Sequence, residues 1–418
     1  MKNLRRLAVV SVFLILVFMV IALLQYQNRE EASLLPNQFE YSLYEDWTII
    51  SLGAEEDWDD FDGLSRLVEE ALTEGKSNRS DLPYSGQSRK GDTVVYINTL
   101  PPEFAGLTLS FAFEKTDVCV LLDGEAIYQV EDAGEDVFGK EYGNDRHYVS
   151  IPNVFQTGEL WIVQTSSYPD AAATLENVKI ESRDMVVIGV VVGNIADIGC
   201  CLLIMLMTII MFVLALIRRY TRQPARGELF LGLAGLATGI YCFIRTDTLS
   251  IFYNIQKAYE MQEYLVLLIP IFLTMYFERN LHTLYPRRFS MLLWGMIFNA
   301  AGQILLQSMG IWKLEDMVLL SAAAIGILCV TAVVSLIHYD YTMRRYQALL
   351  SILSLIVLLA GGIANVILNS VFGKSYGNTA GLYSMALFSI LMAFMHTLQL
   401  SREYRANAEK NAALLEKR

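Results

Sequence analysis

The residues able to do covalent or metal chemistry are few and scattered along this chain. Its four histidines, His147, His282, His338 and His396, stand far apart, and no H-x-x-x-H or C-x-x-C spacing accompanies them. The spacing of a zinc site or a redox dithiol is therefore not encoded locally. Of the five cysteines only Cys119 falls in the polar stretch between Tyr26 and Asp184, so no disulfide forms within it, and its alternation with Val118, Val120 and Leu122 marks a buried strand residue. Cys200, Cys201, Cys242 and Cys329 sit in apolar runs without metal-ligand spacing. The stretch Gly361 to Asn365 lacks the Lys and Ser or Thr of a phosphate loop. No nucleophile and base stand out as a pair. The expectation is a chain with no catalytic residue, no metal and no cofactor, in which His338 and His396, near the ends of apolar runs, pack at an interface.

Polar side chains inside apolar runs carry more information, because lipid does not solvate them and they face a bundle interior or a cavity. Asn299, Gln303 and Gln307 recur every four residues and form one stripe on a helix; Asn365 and Asn369 form another. Amides placed in this way bond between helices, and a seam of them can also repack. Asp197, which begins the last ~20 residues of its apolar run, and Arg245, which ends a short one, are expected at the outer membrane boundary. Asp197, Arg245, Asn299, Gln303 and Asn365 are the residues expected to couple motion through the membrane. Among the aromatics of the polar half, Trp58, Tyr84 and Tyr142 are candidates to stack on a sugar ring, whereas Trp161 alternates within a strand and reads as core.

The elements that hold these residues follow from composition. A mean hydropathy of +0.38 and an apolar fraction of 54% over 418 residues exceed what a soluble chain carries. Runs long enough to cross about 30 Å of hydrocarbon extend over Leu7 to Leu24, Val186 to Ile217, Phe289 to Met309, Met317 to His338, Ala348 to Leu368 and Ala380 to Leu400. Leu229 to Ile244 and Tyr264 to Phe277 are shorter and could form two spans or a re-entrant hairpin. Arginine marks the inner side. Arg5 and Arg6, Arg218 to Arg226, Arg279 to Arg288, Arg344 and Arg345, and Arg402 to Arg418 fall in alternating connections. That alternation fits an anchor plus about seven further spans, with both termini cytoplasmic. Residues 1–25 read as a signal anchor or signal peptide, 26–184 as an extracytoplasmic domain, 185–400 as the bundle and 401–418 as a cytoplasmic helical stub.

The formal charge of −12 conceals a strongly acidic stretch from Tyr26 to Asp184 and a basic remainder. An acidic surface disfavours nucleic acid as a partner, since phosphate is bound mainly through Lys and Arg; none is expected. Within that stretch Leu107, Leu109, Phe111 and Phe113 alternate with smaller or polar residues, and Asp123-Gly124 separates two strand-like runs as a hairpin turn would. Further strands are expected at Thr93 to Asn98, His147 to Ile151, Leu160 to Thr165 and Val178 to Glu181. Leu64, Leu67, Val68, Ala71 and Leu72 have helical spacing behind a possible cap at Asp62. Val186 to Ile217, if one helix, reaches ~48 Å and projects beyond one bilayer crossing, with Gly189 and Gly193 as a G-x-x-x-G at its outer end. After Leu400 the sequence is free of Gly and Pro, so the last span should continue as a helix. Its residues Ser401, Tyr404, Ala408, Asn411 and Leu415 follow the 3-4 spacing of a coiled-coil seam.

The VCVLLDGEAIYQV hairpin, the RHYVSIP and GELWIVQTSSYP strands and the immediate entry into apolar helices together resemble bacterial seven-transmembrane receptors with diverse intracellular signalling modules. That resemblance implies a jelly-roll-like, all-β extracytoplasmic sandwich similar to carbohydrate-binding modules, followed by the seven-helix membrane bundle. It implies an extracellular small molecule or saccharide as ligand, contact with membrane lipid, and a cytoplasmic signalling module such as a diguanylate cyclase or histidine kinase, beyond Arg418 or on a partner. A homodimer through the tail seam is compatible with it. The competing class is a membrane transporter or membrane-bound enzyme with an accessory binding domain. The absence of a convincing internal repeat, or of clustered His and carboxylates, disfavours that class.

Overall fold

The computed structural model describes residues 13–21, 41–53, 61–87, 89, 91–113, 116–130, 146–153, 156–166, 172–175, 178–223, 227–246, 248, 256–281, 286–309, 311–312, 314, 317–343, 346–372 and 379–416. Two compact units emerge. One comprises Ala32–Gly193 with Asp247–Glu260, and the other Met1–Glu31, Asn194–Thr246 and Met261–Arg418.

The first unit is a β-sandwich. A four-stranded sheet has the order β1 (Tyr41–Ser42), β12 (Lys179–Glu181), β6 (Thr108–Ala112), β9 (Arg146–Ser150). A six-stranded sheet has the order β3 (Ser77–Ser80), β2 (Trp47–Leu52), β5 (Thr93–Leu100), β10 (Gly158–Ser166), β7 (Thr116–Leu122), β8 (Glu125–Val130). A small third sheet pairs β11 (Ala172–Leu175) with β4 (Tyr84–Gln87). Every pairing among them is antiparallel. Leu109, Phe111 and Val149 of the smaller sheet pack on Ile49, Tyr96, Val120 and Ile162 of the larger one. The turn between β7 and β8 places Asp123 at φ 51° and Gly124 at φ 83°, the left-handed pair that a tight hairpin requires and that Asp-Gly supplies.

The other face of the six-stranded sheet is covered by helix α2 (Phe61–Thr73), whose Leu64, Val68 and Ala71 lie on Ile50, Val95, Cys119, Leu121 and Trp161. Coverage on both faces explains the unbroken apolar runs Val94 to Ile97 and Leu160 to Val163, since strands buried on both sides do not alternate. Trp161 and Cys119 are core residues, as their positions suggest, but on the helix side. Two details differ from expectation. The helix begins at Phe61, so Asp62 lies in its first turn rather than capping it, and Leu72 is exposed. Strands β1 to β4, which precede Asp92, carry no clear alternation in sequence.

Helix α3 (Arg183–Gly193) ends the sandwich unit, and α4 (Ile195–Tyr220) begins the helical one. The single 32-residue helix expected over Val186 to Ile217 is thus interrupted at Asn194, which has φ −107° and ψ 9°. Gly193 and Asn194 are both weak helix formers and meet at this point. Neither Gly189 nor Gly193 has anything within 4 Å of where a Cβ would stand, so the G-x-x-x-G packs against no described atom.

The helical unit continues with α5 (Glu228–Ile244), α6 (Gln256–Leu281) from Met261 onward, α7 (Pro286–Ser308), α8 (Val318–Met343), α9 (Tyr346–Phe372) and α10 (Thr379–Glu416). Among the described residues six helices are long and apolar enough to cross a membrane, and α5, at 17 residues, is a shorter apolar helix. The run Tyr264 to Phe277 is the centre of α6, whose apolar span covers Met261–Asn280. Helices α5, α4, α10, α9 and α8 pack in that succession, while Leu267 of α6 joins Ala300 of α7. Residues 13–21 form α1, and its Phe18 is buried against Val357, Ala360 and Ala364 of α9 and Ala380 of α10. Gly361 sets the closest approach of α9 and α10: a Cβ there would collide with the Ser384 side chain. Helix α10 runs unbroken from the apolar segment through the tail, as its composition predicts.

Candidate functional site

At the arginine-rich end of the bundle, charged side chains meet in the interior. Arg218 occupies the last turn of α4 and Glu228 the first turn of α5, the termini at which a helix dipole favours a cation and an anion respectively. The intervening segment ends at Gly227, which adopts φ 82° and abuts Tyr276 of α6 so closely that a Cβ would press on its backbone oxygen. Glycine is needed there on both counts. The turn brings Arg218 Nε to 2.5 Å from Glu228 Oε1, both side chains 1% exposed.

The same guanidinium reaches α10. Arg218 Nη1 donates to Glu403 Oε2 at 2.8 Å, and Glu403 is 25% exposed. Seven residues earlier on α10, and so on the same face two turns away, His396 places Nδ1 3.6 Å from Glu228 Oε1. Its Nε2 lies 2.9 Å from the Tyr276 hydroxyl of α6. One network therefore joins α4, α5, α6 and α10. Arginine suits the junction because its planar fork serves two carboxylates from fixed directions. Two carboxylates face one guanidinium, and His396 is the remaining group in the network able to carry positive charge. Buried charges are costly unless paired, and stranding one is worse than never burying it. Helix α10 is thereby held in one register against α4 and α5. This is mechanical chemistry: the cluster fixes a position, and any motion of α10 must break or exchange its ion pairs.

Sequence reasoning missed most of this site. Arg218 registers only as one of several inner-side arginines, and His396, expected at an interface, is instead 1% exposed inside the network. Glu228, Tyr276 and Glu403 carry no local signal; the one available hint is the His396 to Glu403 spacing.

The residues that were expected to couple the bundle are dispersed. Gln303 is buried, accepts from Ser321 of α8 at 3.2 Å and donates to Asn299 at 3.2 Å, so this stripe joins α7 to α8. Asn365 is half-buried beside Gly381 of α10, and the side chain of Asn369 lies outside the described residues. Asp197 is buried in the first turn of α4, and Arg245 is exposed at the end of α5, bonded to the Tyr241 hydroxyl at 3.2 Å. Cys201 of α4 packs with Cys242 of α5, which puts Asp197 and Arg245 at the end of this helix pair opposite to Arg218.

In the sandwich, Tyr84 is partly buried and packs edge-on against Tyr96. Trp58 and Tyr142 lie outside the described residues, so the three sugar-stacking candidates are not assembled into a site. One buried titratable group there is His147, stacked on Phe111 at 5.3 Å with its Nδ1 3.1 Å from the Tyr128 hydroxyl. Burial among aromatics lowers its pKa from 6.5 to about 4 and raises that of Tyr128 to about 12.

Neither a known family model nor a curated protein matches the chain.

Proposed function

We propose that the chain is the sensory and transmembrane portion of a bacterial signal-transduction receptor. In this reading the sandwich is a jelly-roll-like domain outside the cell membrane, α4 to α10 form a seven-helix bundle, and α1 belongs to an anchor. Ligand binding outside, by a small molecule or saccharide, biases the bundle toward a second arrangement, and α10 delivers the change to a cytoplasmic output module such as a diguanylate cyclase or histidine kinase. The chain itself performs no catalysis. The observation that carries the reading is the ionic network of Arg218, Glu228, His396 and Glu403, which grips α10 where its apolar segment gives way to an exposed helix. A ligand shifts such an equilibrium only by binding two states differently, and a buried set of exchangeable ion pairs is a two-state element of the needed kind.

A fusion tests it. A diguanylate cyclase domain placed after Arg418 should change its cyclic-dinucleotide output when Glu403→Gln releases α10. Two residues inserted after Asn407, which rotate the helix by roughly 200°, should change it as well. Output equal to that of the unaltered fusion in both variants would show that α10 transmits nothing.

A further inference from the structure

Midway along the bundle, residues of α4, α5, α6, α8, α9 and α10 line a cavity of about 40 Å3. Its wall is mainly apolar, with Met211, Leu231, Leu273 and Phe388 prominent, and no charged side chain lines it. Thr208, Thr238 and Ser389 contribute hydroxyls. Ser389 Oγ donates to the Met385 carbonyl of its own helix at 2.9 Å, which leaves it free to accept. Thr208 differs: its side chain is 4% exposed and its Oγ1 has no hydrogen-bond partner among the described residues.

A threonine inside a helix ordinarily returns its hydroxyl to the carbonyl four residues back, as Thr274 does to Pro270 and Thr397 to Ala393. Thr208 instead faces α5 at Gly235, where a Cβ would collide with Oγ1. The glycine leaves the hydroxyl room, and the cavity adjoins both residues. An unmatched buried hydroxyl is unfavourable, so the site calls for a guest that bonds to it.

Size and polarity select the guest. One water needs roughly 10–15 Å3 of such space, and a cavity that takes benzene is about 150 Å3, so the space here suits a few heavy atoms. An ion would lose its hydration with no countercharge. We propose that this cavity binds a small neutral amphiphile of the short-chain alcohol class, its hydroxyl on Thr208 and its one to three carbons against the methionine, leucine and phenylalanine wall, in exchange for water. The inference does not depend on the receptor reading.

The test uses the full chain in lipid nanodiscs with 2-fluoroethanol, followed by fluorine saturation-transfer NMR, and with xenon as an apolar probe. Saturable binding of both is expected in the unaltered protein. Thr208→Val keeps the shape and removes the hydroxyl, so it should weaken 2-fluoroethanol about tenfold and leave xenon binding intact, the loss of one ordinary hydrogen bond. Ala234→Leu fills the space and should abolish both signals; if that variant does not fold, the Thr208→Val comparison decides alone. A fluoroethanol signal equal in all proteins is partition into lipid and overturns the proposal. Xenon binding without fluoroethanol binding leaves a dry void and overturns it as well, as does an affinity for fluoroethanol that Thr208→Val does not change.

Discussion

Acidification should loosen the sandwich through His147. The ring is 1% exposed, stacked on Phe111, ringed by Phe113 and Tyr128, and its pKa in the folded chain is lowered from 6.5 to about 4 by burial. As pH falls, the unfolded chain takes up this proton first, so the contribution of His147 to stability is full above about pH 6.5. It declines between about 6.5 and 4 and is constant below. A displacement of this size corresponds to ~3 kcal/mol at complete protonation, since each pKa unit is about 1.4 kcal/mol, a sizeable part of the 5–15 kcal/mol that typically holds a domain. The assay is urea unfolding of a fragment spanning residues 27–184, followed by tryptophan fluorescence from pH 4 to 7.5. The comparison is His147→Phe combined with Tyr128→Phe, which keeps the aromatic packing and removes both the titrating ring and the hydroxyl bonded to it. Carboxylates titrate in both proteins and cancel in the difference. The unaltered fragment should lose ~3 kcal/mol more than the variant across that window. Parallel stability profiles for the two would refute the burial argument.

Further outcomes follow from the same physical reasoning. Arg218→Met strands Glu228 in the interior and should cost about 3–5 kcal/mol of bundle stability, whereas adding Glu228→Gln should restore most of it; thermal unfolding in detergent reads both. Gly361→Val forces α9 and α10 apart at Ser384 and should cost about 1–3 kcal/mol by overpacking, with a weaker effect when Ser384→Gly is added. With the native cysteines replaced, Arg245→Cys should react with an impermeant thiol reagent added to intact cells. Thr246→Cys, buried at 3% exposure, should be protected. The 27–184 fragment should bind a neutral or cationic saccharide or other small molecule in a ligand screen, and preference for polyanions would contradict its acidic surface.

Much of the architecture is local in origin and so was legible in the sequence. Apolar run length sets which helices can cross a membrane. Alternation at Leu109, Phe111 and Phe113 sets one strand face, and Asp123-Gly124 sets a turn because both residues tolerate positive φ. The tail helix follows from an absence of breakers after Leu400. Where a single local residue pair outweighed the run, as Gly193 and Asn194 did within Val186 to Ile217, the hydropathy pattern misled.

What only the tertiary structure decided is which buried groups face one another. An arginine near a membrane boundary looks the same in sequence whether it is solvated, like its neighbour Arg219, or enclosed, like Arg218. Its partners Glu228 and Glu403 stand on two other helices, up to 185 residues away, and beyond the seven-residue spacing of His396 and Glu403 nothing along the chain marks the contact. The hydroxyl of Thr208 likewise matters only because the packing of α4 on Gly235 of α5 denies it a partner among the described residues. Pairing of buried charge and polarity is a property of helix register and packing distance, and those are fixed by the whole bundle at once.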